Sequence, residues 1–225
     1  MDVSVFFTWD NFFILLKGAG MSLGIASISV CCGILLGIVV ALCKLSGNKV
    51  LRVIGNIYVE LIRGTPMLLQ ILFFFLGVPS LYYMITGSSI RMNIYLCGIV
   101  SLSINSGAYM AELIRSSIQA VDKGQSEAGY TLGLSHQQIL RFIVLPQAMR
   151  RIIPPFVSEF ITLIKDSSLL GSIGVIELLQ AARNIGNVYY NFLIPLLMAT
   201  VLYLCMTVSI SRLSNHLEKR LLIHD

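Results

Sequence analysis

The sequence predicts an all-α integral membrane protein of five transmembrane helices, with a helix–turn–helix element projecting from one end of the bundle. Three observations carry this. Apolar residues make up 56% of the 225-residue chain and charged residues only 12%, about half the charge of a soluble domain. Charge-free runs recur at the roughly 20-residue length that crosses a bilayer as a helix. Eleven of the sixteen Lys and Arg residues fall in alternate connections, the asymmetry that marks cytoplasmic loops. A soluble enzyme, a disordered chain and a β-barrel of alternating ten-residue segments are all excluded by the same pattern.

The elements follow in order. Residues 1–18 carry Phe6, Phe7, Trp9, Phe12 and Phe13 and read as an interfacial aromatic segment outside the membrane. The first basic residue is Lys17, so the positive start of a cleavable signal peptide is missing. The first span is placed at about 20–43, where Gly20, Gly24, Gly33 and Gly37 give two small-x-x-x-small spacings of the kind that lets helices approach closely. The second span, about 58–78, carries Glu60 and Arg63 at its base; the third, about 92–114, ends in Glu112 and Arg115. A fourth is placed at about 152–168 despite Glu159, Lys165 and Asp166, and a fifth at about 188–211. The stretch 166–187 reads as a short outer helix. The membrane domain is thus 19–215, followed by a cytoplasmic tail, 216–225. Basic residues of 44–52, 112–151 and the tail put the N-terminus outside and the C-terminus in the cytoplasm.

Residues 112–151 are too polar to span and too long for a turn. A short helix is expected over Gly124–Gly133, closed by Gly133 as a C-terminal glycine cap. Ser135-His136-Gln137-Gln138 fits a capping box, and the helix after it runs until Pro146 stops or kinks it. Such an element either lies on lipid or docks a cytoplasmic partner.

Charges inside a membrane are expensive, so each asks for a reason. Glu60 and Arg63 share one helix face, as do Glu112 and Arg115. These are local ion pairs or an inner gate that changes partners. Glu159 has no charge at i±3 or i±4. It either meets a substrate ammonium or guanidinium group or bonds to Asn105 or Ser106 on a neighbouring helix. Asn105, Ser106 and Tyr109 line a solute path or glue helices together. Cys31, Cys32, Cys43, Cys97 and Cys205 read as packing residues. No metal site is expected, because the three histidines are scattered. No Ser/His, paired-Asp or H-E-x-x-H arrangement lies in the spans. No phosphate-cradling G-x-x-x-x-G-K-[ST] loop is present either, so energy must come from elsewhere. Five helices are also too few to enclose a solute path and shield it from lipid, which calls for a second copy or homologue.

Glu127-Ala128-Gly129, then Gly133, then Ile143-Val144-Leu145-Pro146 resembles the EAA---G---------I-LP motif of ATP-binding cassette (ABC) importer permeases, with Gly129 in place of the third Ala. Glu60–Pro66, Ala108–Glu112 and Lys165–Leu169 are similar to the polar amino acid branch of that family, of the histidine, glutamine and arginine type. Together these cover about residues 18–215. At Ser158 the family often has Asn, so the local pocket is expected to differ.

The resemblance implies a type I importer permease in the cytoplasmic membrane. A cytoplasmic ABC ATPase dimer would dock on Glu127, Ala128, Gly129, Gly133, Ile143, Leu145 and Pro146. A second permease would pair with it, and an extracytoplasmic binding protein would deliver the amino acid. The chain would do no covalent chemistry and hold no cofactor of its own, ATP and magnesium being bound by the partner; its remaining contacts would be with lipid and not with nucleic acid. Within the resemblance, a permease for another small solute such as methionine or an opine is an alternative. Outside it, the alternative is a secondary transporter.

Overall fold

Thr8 starts the first long helix. Its hydroxyl accepts the N–H of Asn11 at 3.3 Å, and α1 then runs over Trp9–Leu45. At about 1.5 Å per residue this is about 55 Å, well beyond the roughly 30 Å hydrocarbon layer, so the helix absorbs part of the aromatic segment. That segment divides: Phe6 is buried edge-on to Tyr189 with ring centroids 5.0 Å apart, while Phe7 and Trp9 are exposed. The computed structural model describes residues 3–222, with side chains from Ser4 to Ser214. The expected tail at 216–225 lies outside the described side chains.

Asn48 caps α2 (Lys49–Arg63), accepting the Val50 N–H at 2.9 Å. The chain breaks at Gly64–Thr65–Pro66 and resumes as α3 (Met67–Leu72), a π-helical turn over Phe73–Gly77 and α4 (Val78–Thr86). The second span, expected at about 58–78, is therefore divided between α2 and the apolar rod 67–86. Gln70 braces the break. Its buried amide donates to the Ile62 carbonyl at 2.7 Å and to the Thr65 hydroxyl at 2.9 Å.

The next long helix is α5 (Ile94–Gln119), capped by Asn93. It packs along α1, and the seam is glycine-made: a Cβ at Gly33 would lie 2.8 Å from the Ser106 Cβ, and one at Gly37 would collide with that of Met110. Gly20 and Gly24 face open space instead, so only half of the glycine stripe is a packing surface.

Beyond α5 come α6 (Lys123–Thr131), α7 (His136–Ile139), a second π-helical turn over Leu140–Val144 and α8 (Leu145–Asp166). Pro146 does not stop the helix. The Leu145 N–H reaches back to the Leu140 carbonyl, five residues away, which widens the turn just before the proline. Pro146 then sits at the start of α8, where its missing N–H and fixed φ are tolerated. The same arrangement recurs at Val78-Pro79, where the Val78 N–H bonds the Phe73 carbonyl. Chain 136–166 is thus one continuous helical rod.

After α8 a 3₁₀ helix over Ser167–Ile173 leads to α9 (Leu178–Tyr189) and α10 (Leu193–Leu222). The stretch read as one short outer helix is therefore two elements, joined by a turn with Gly174 in the left-handed region. Glu177 secures them. Its fully buried carboxylate accepts the N–H groups of Leu179 and Gln180 at 2.9 and 2.7 Å and the Tyr203 hydroxyl at 2.8 Å, while the Ser22 hydroxyl accepts the Leu178 N–H at 3.3 Å. This ties α9 to α1 and α10. The central core joins Ile25, Ile71, Leu102, Leu163, Ile164 and Leu170 from five elements.

The result is an all-α, multi-span bundle with a helical coupling region at one end. Four helices among the described residues are long and apolar enough to cross a bilayer: Trp9–Leu45, Met67–Thr86, Ile94–Gln119 and Leu193–Ser214. The fourth expected span corresponds to α8, which has the length but carries Arg150, Arg151, Glu159, Lys165 and Asp166 and so falls short in hydropathy.

Candidate functional site

Two places along the rod 136–166, one of them shared with α6, gather the residues singled out from the sequence. The first is a knob built by α6 and α7. Asp122 caps α6, its carboxylate accepting the Gly124 N–H at 2.6 Å. Capping therefore falls to Asp122; Glu127 lies further along the helix and is exposed. Gly133 has φ +78°. Its N–H donates to the Tyr130 carbonyl at 2.9 Å, and that of Leu134 to the Gly129 carbonyl at 3.1 Å. This pair of bonds closes a helix end around a left-handed residue. Ser135 and Gln138 form the capping box reciprocally.

Gly129 is buried under α7, where a Cβ would meet Ile139 Cγ1 at 2.9 Å and Ile143 Cδ1 at 3.0 Å. The small residue is needed because two helices cross there. Ala128, Gly133, Leu145 and Pro146 are exposed and Ile143 half-buried. Leu132, Tyr130 and Phe142 are also exposed, Leu132 by 80%. The knob thus presents an apolar face around a rigid turn. Val121, Ile139, Val144 and Ala148 form its own small core.

The second place is an open groove of about 470 Å³ between α5 and α8, lined by Tyr109, Leu113, Pro154, Pro155, Ser158, Glu159 and Thr162. The lining hydroxyls of Ser158 and Thr162 are turned back to the carbonyls of Pro154 and Ser158, at 3.2 and 3.0 Å. Of the path residues read from the sequence, Glu159 and Tyr109 line the groove. Asn105 is buried and donates its amide to Gln70 at 3.0 Å. Ser106 is fully buried behind the wall. Its hydroxyl makes no hydrogen bond among the described residues, yet it lies within electrostatic reach of the Glu159 carboxyl, as does Asp166 further along α8.

The ion pairs differ from expectation. Glu112 is held by Lys44 at 2.7 Å and by Arg115, so the cluster joins α1 to α5 and is not a local i,i+3 pair alone. Glu60 and Arg63 make no ion pair among the described residues. Arg63 places its guanidinium 5.0 Å from the centroid of the Tyr109 ring instead. A ring face returns roughly 0.5–1 kcal/mol to an exposed guanidinium. Lys44, Gln70 and the Arg63–Tyr109 stack were missed in the sequence because their partners are 35 or more residues away. Among the described residues no group of His, Cys, Asp and Glu gathers to hold a metal ion.

Residues 33–223 match the family of binding-protein-dependent transport system inner membrane components. The chain is 34% identical over 211 residues to the arginine transport system permease protein ArtQ of Bacillus subtilis, covering 94% of both chains. It is 32% identical over 215 residues to the glutamine transport system permease protein GlnP of Escherichia coli, covering 96% of both. In structure it is similar to a chain of an amino acid ABC transporter crystallised with histidines, with a TM-score of 0.89, 34% identity, and 98% of this chain and 100% of that one covered.

Proposed function

The chain belongs to the family of binding-protein-dependent transport system inner membrane components, and from that premise we propose that it moves polar amino acids, cationic ones among them. It is the non-catalytic permease subunit of an ABC importer, a multi-pass protein of the inner membrane. Its N-terminus lies outside and its C-terminus in the cytoplasm, following the basic connections. Five helices cross the membrane in this reading, α8 being the fourth of them in order; of its charged residues Glu159 faces the groove.

The observation that carries the mechanism is the unbroken rod. The knob that would dock an ATPase packs on the start of one helical path, residues 136–166, and the groove that would hold solute lies further along it. A push on the exposed turn at Leu132–Gly133 is passed along the rod to Glu159. The wide turn at Leu140–Val144 leaves the path helical from His136 onward, and Gly129 packed against Ile139 and Ile143 couples α6 to it directly. Binding and hydrolysis of ATP on a partner ATPase dimer would then alternate the outward- and inward-facing arrangements. An extracytoplasmic binding protein delivers the solute, and a second permease completes the wall that the open groove lacks. Glu159 faces the cationic end of the substrate, and the ion cluster of Lys44, Glu112 and Arg115 sits at the inner end.

The test is co-purification with candidate ATPase and binding-protein partners, followed by uptake of an amino acid panel in proteoliposomes. Uptake should require all components and ATP. Full-rate uptake by the permease alone would overturn the reading in favour of a secondary transporter.

A further inference from the structure

Resting on the reading that the groove holds an amino acid, we propose that Arg63 is the anion-binding member of that site and receives the substrate α-carboxylate. An amino acid brings two opposite charges to the groove. The lining offers a carboxylate, hydroxyls and apolar surface, but no cation. Arg63 stands at its edge, stacked on the ring of Tyr109, which is itself part of the wall.

The setting of Arg63 fits a group awaiting a partner. Gly55 packs against Cys43 and Lys44, and Val59 shares a buried cluster with Val40, Ala41, Ala108 and Ala111. Arg63 stands a further turn along α2, about 12 Å from the level of Gly55, and it is exposed, open to an incoming solute. The ion pairs among the described residues are Lys44 with Glu112 and Arg115 with Glu112; Glu60 does not compensate Arg63. A ring face is a weaker partner for a guanidinium than a carboxylate is. A carboxylate binds a guanidinium through two parallel hydrogen bonds and outcompetes the ring. Arg63 is also the last residue of α2, beside the non-helical Gly64–Thr65–Pro66, so its side chain can leave Tyr109 without unwinding a helix. The stack is a resting place, and the substrate draws the guanidinium off it.

The experiment measures equilibrium binding to the solubilised permease–ATPase complex without a binding protein. The probes are L-arginine, L-histidine and L-glutamine, each paired with its decarboxylated amine: agmatine, histamine and 4-aminobutanamide. Wild type should favour the amino acid of at least one pair by about tenfold or more. Arg63→Gln should abolish that preference while leaving amine binding in place, which also reports an intact groove; Arg63→Lys should keep part of it. Equal weakening of both members of the pair by Arg63→Gln, or of neither, overturns the role of Arg63 and leaves the transport reading standing. A wild-type complex that binds no member of any pair, yet still hydrolyses ATP, overturns the amino acid reading and this inference with it.

Discussion

The knob and the groove are built from the same helical rod by opposite means. In the knob the contacts that shape the turn are short in sequence: Gly133 to Tyr130, Leu134 to Gly129, Ser135 to Gln138. Around the groove the decisive contacts join distant segments: Arg63 to Tyr109 at its wall, Gln70 to Asn105 and Lys44 to Glu112 in the helices behind it. The knob is a self-contained shape that a partner can grip. The groove is a relation between helices, and it changes when they shift. A device that converts ATP hydrolysis into access needs both, a rigid handle and a deformable site.

The contrast is open to breakage, first at the knob. Gly133→Asp forces a side chain into the left-handed region and puts a charge on the exposed turn. Uptake should fall by about 30-fold or more, the scale of a lost interface hot spot, with the permease still in the membrane at normal amount. Normal ATP-driven uptake in vesicles would show that the turn is not the handle.

At the rear wall of the groove, Gly37→Ala should wedge α5 away from α1. A destabilisation of about 1–3 kcal/mol is expected from overpacking, read as a lower melting temperature in detergent. Gly24→Ala, with open space around it, should stay within about 0.5 kcal/mol of wild type. Equal effects at both positions would mean that the seam does not hold the wall.

Inside the groove, Glu159→Gln removes a charge and keeps the shape. The ratio of cationic to neutral amino acid uptake should drop about tenfold, the scale of one charge-assisted hydrogen bond. Equal losses for both classes would remove the charge-reading role. The smallest effect is expected at the inner end. Lys44→Met should cost about 1 kcal/mol of stability, because Arg115 still holds Glu112; a loss equal to that of Glu112→Gln would show that Lys44 carries the cluster.

Much of the membrane architecture was legible because bilayer thickness sets helix length and hydropathy reports it directly. The knob was legible because a left-handed glycine and a capping box are properties of a few consecutive residues. Pro146 misled because its effect depends on the turn before it. A proline breaks a regular helix, but the wide turn at Leu140–Val144 carries the chain past it. Arg63 misled in another way: a carboxylate three residues away looked like its partner, while the ring it meets lies on α5.

Composition, span length, basic asymmetry and the fixed spacing from Glu127 to Pro146 were determined by the sequence alone. Each depends on solvent transfer or on contacts within a turn or two of helix. Only the tertiary structure decided which glycines of α1 touch a neighbour, where Arg63 rests, that Glu177 is buried as a cap for α9, and that Tyr109 and Glu159 share a groove. Those outcomes depend on which helices stand side by side, and a choice among many possible neighbours leaves no periodic mark along the chain.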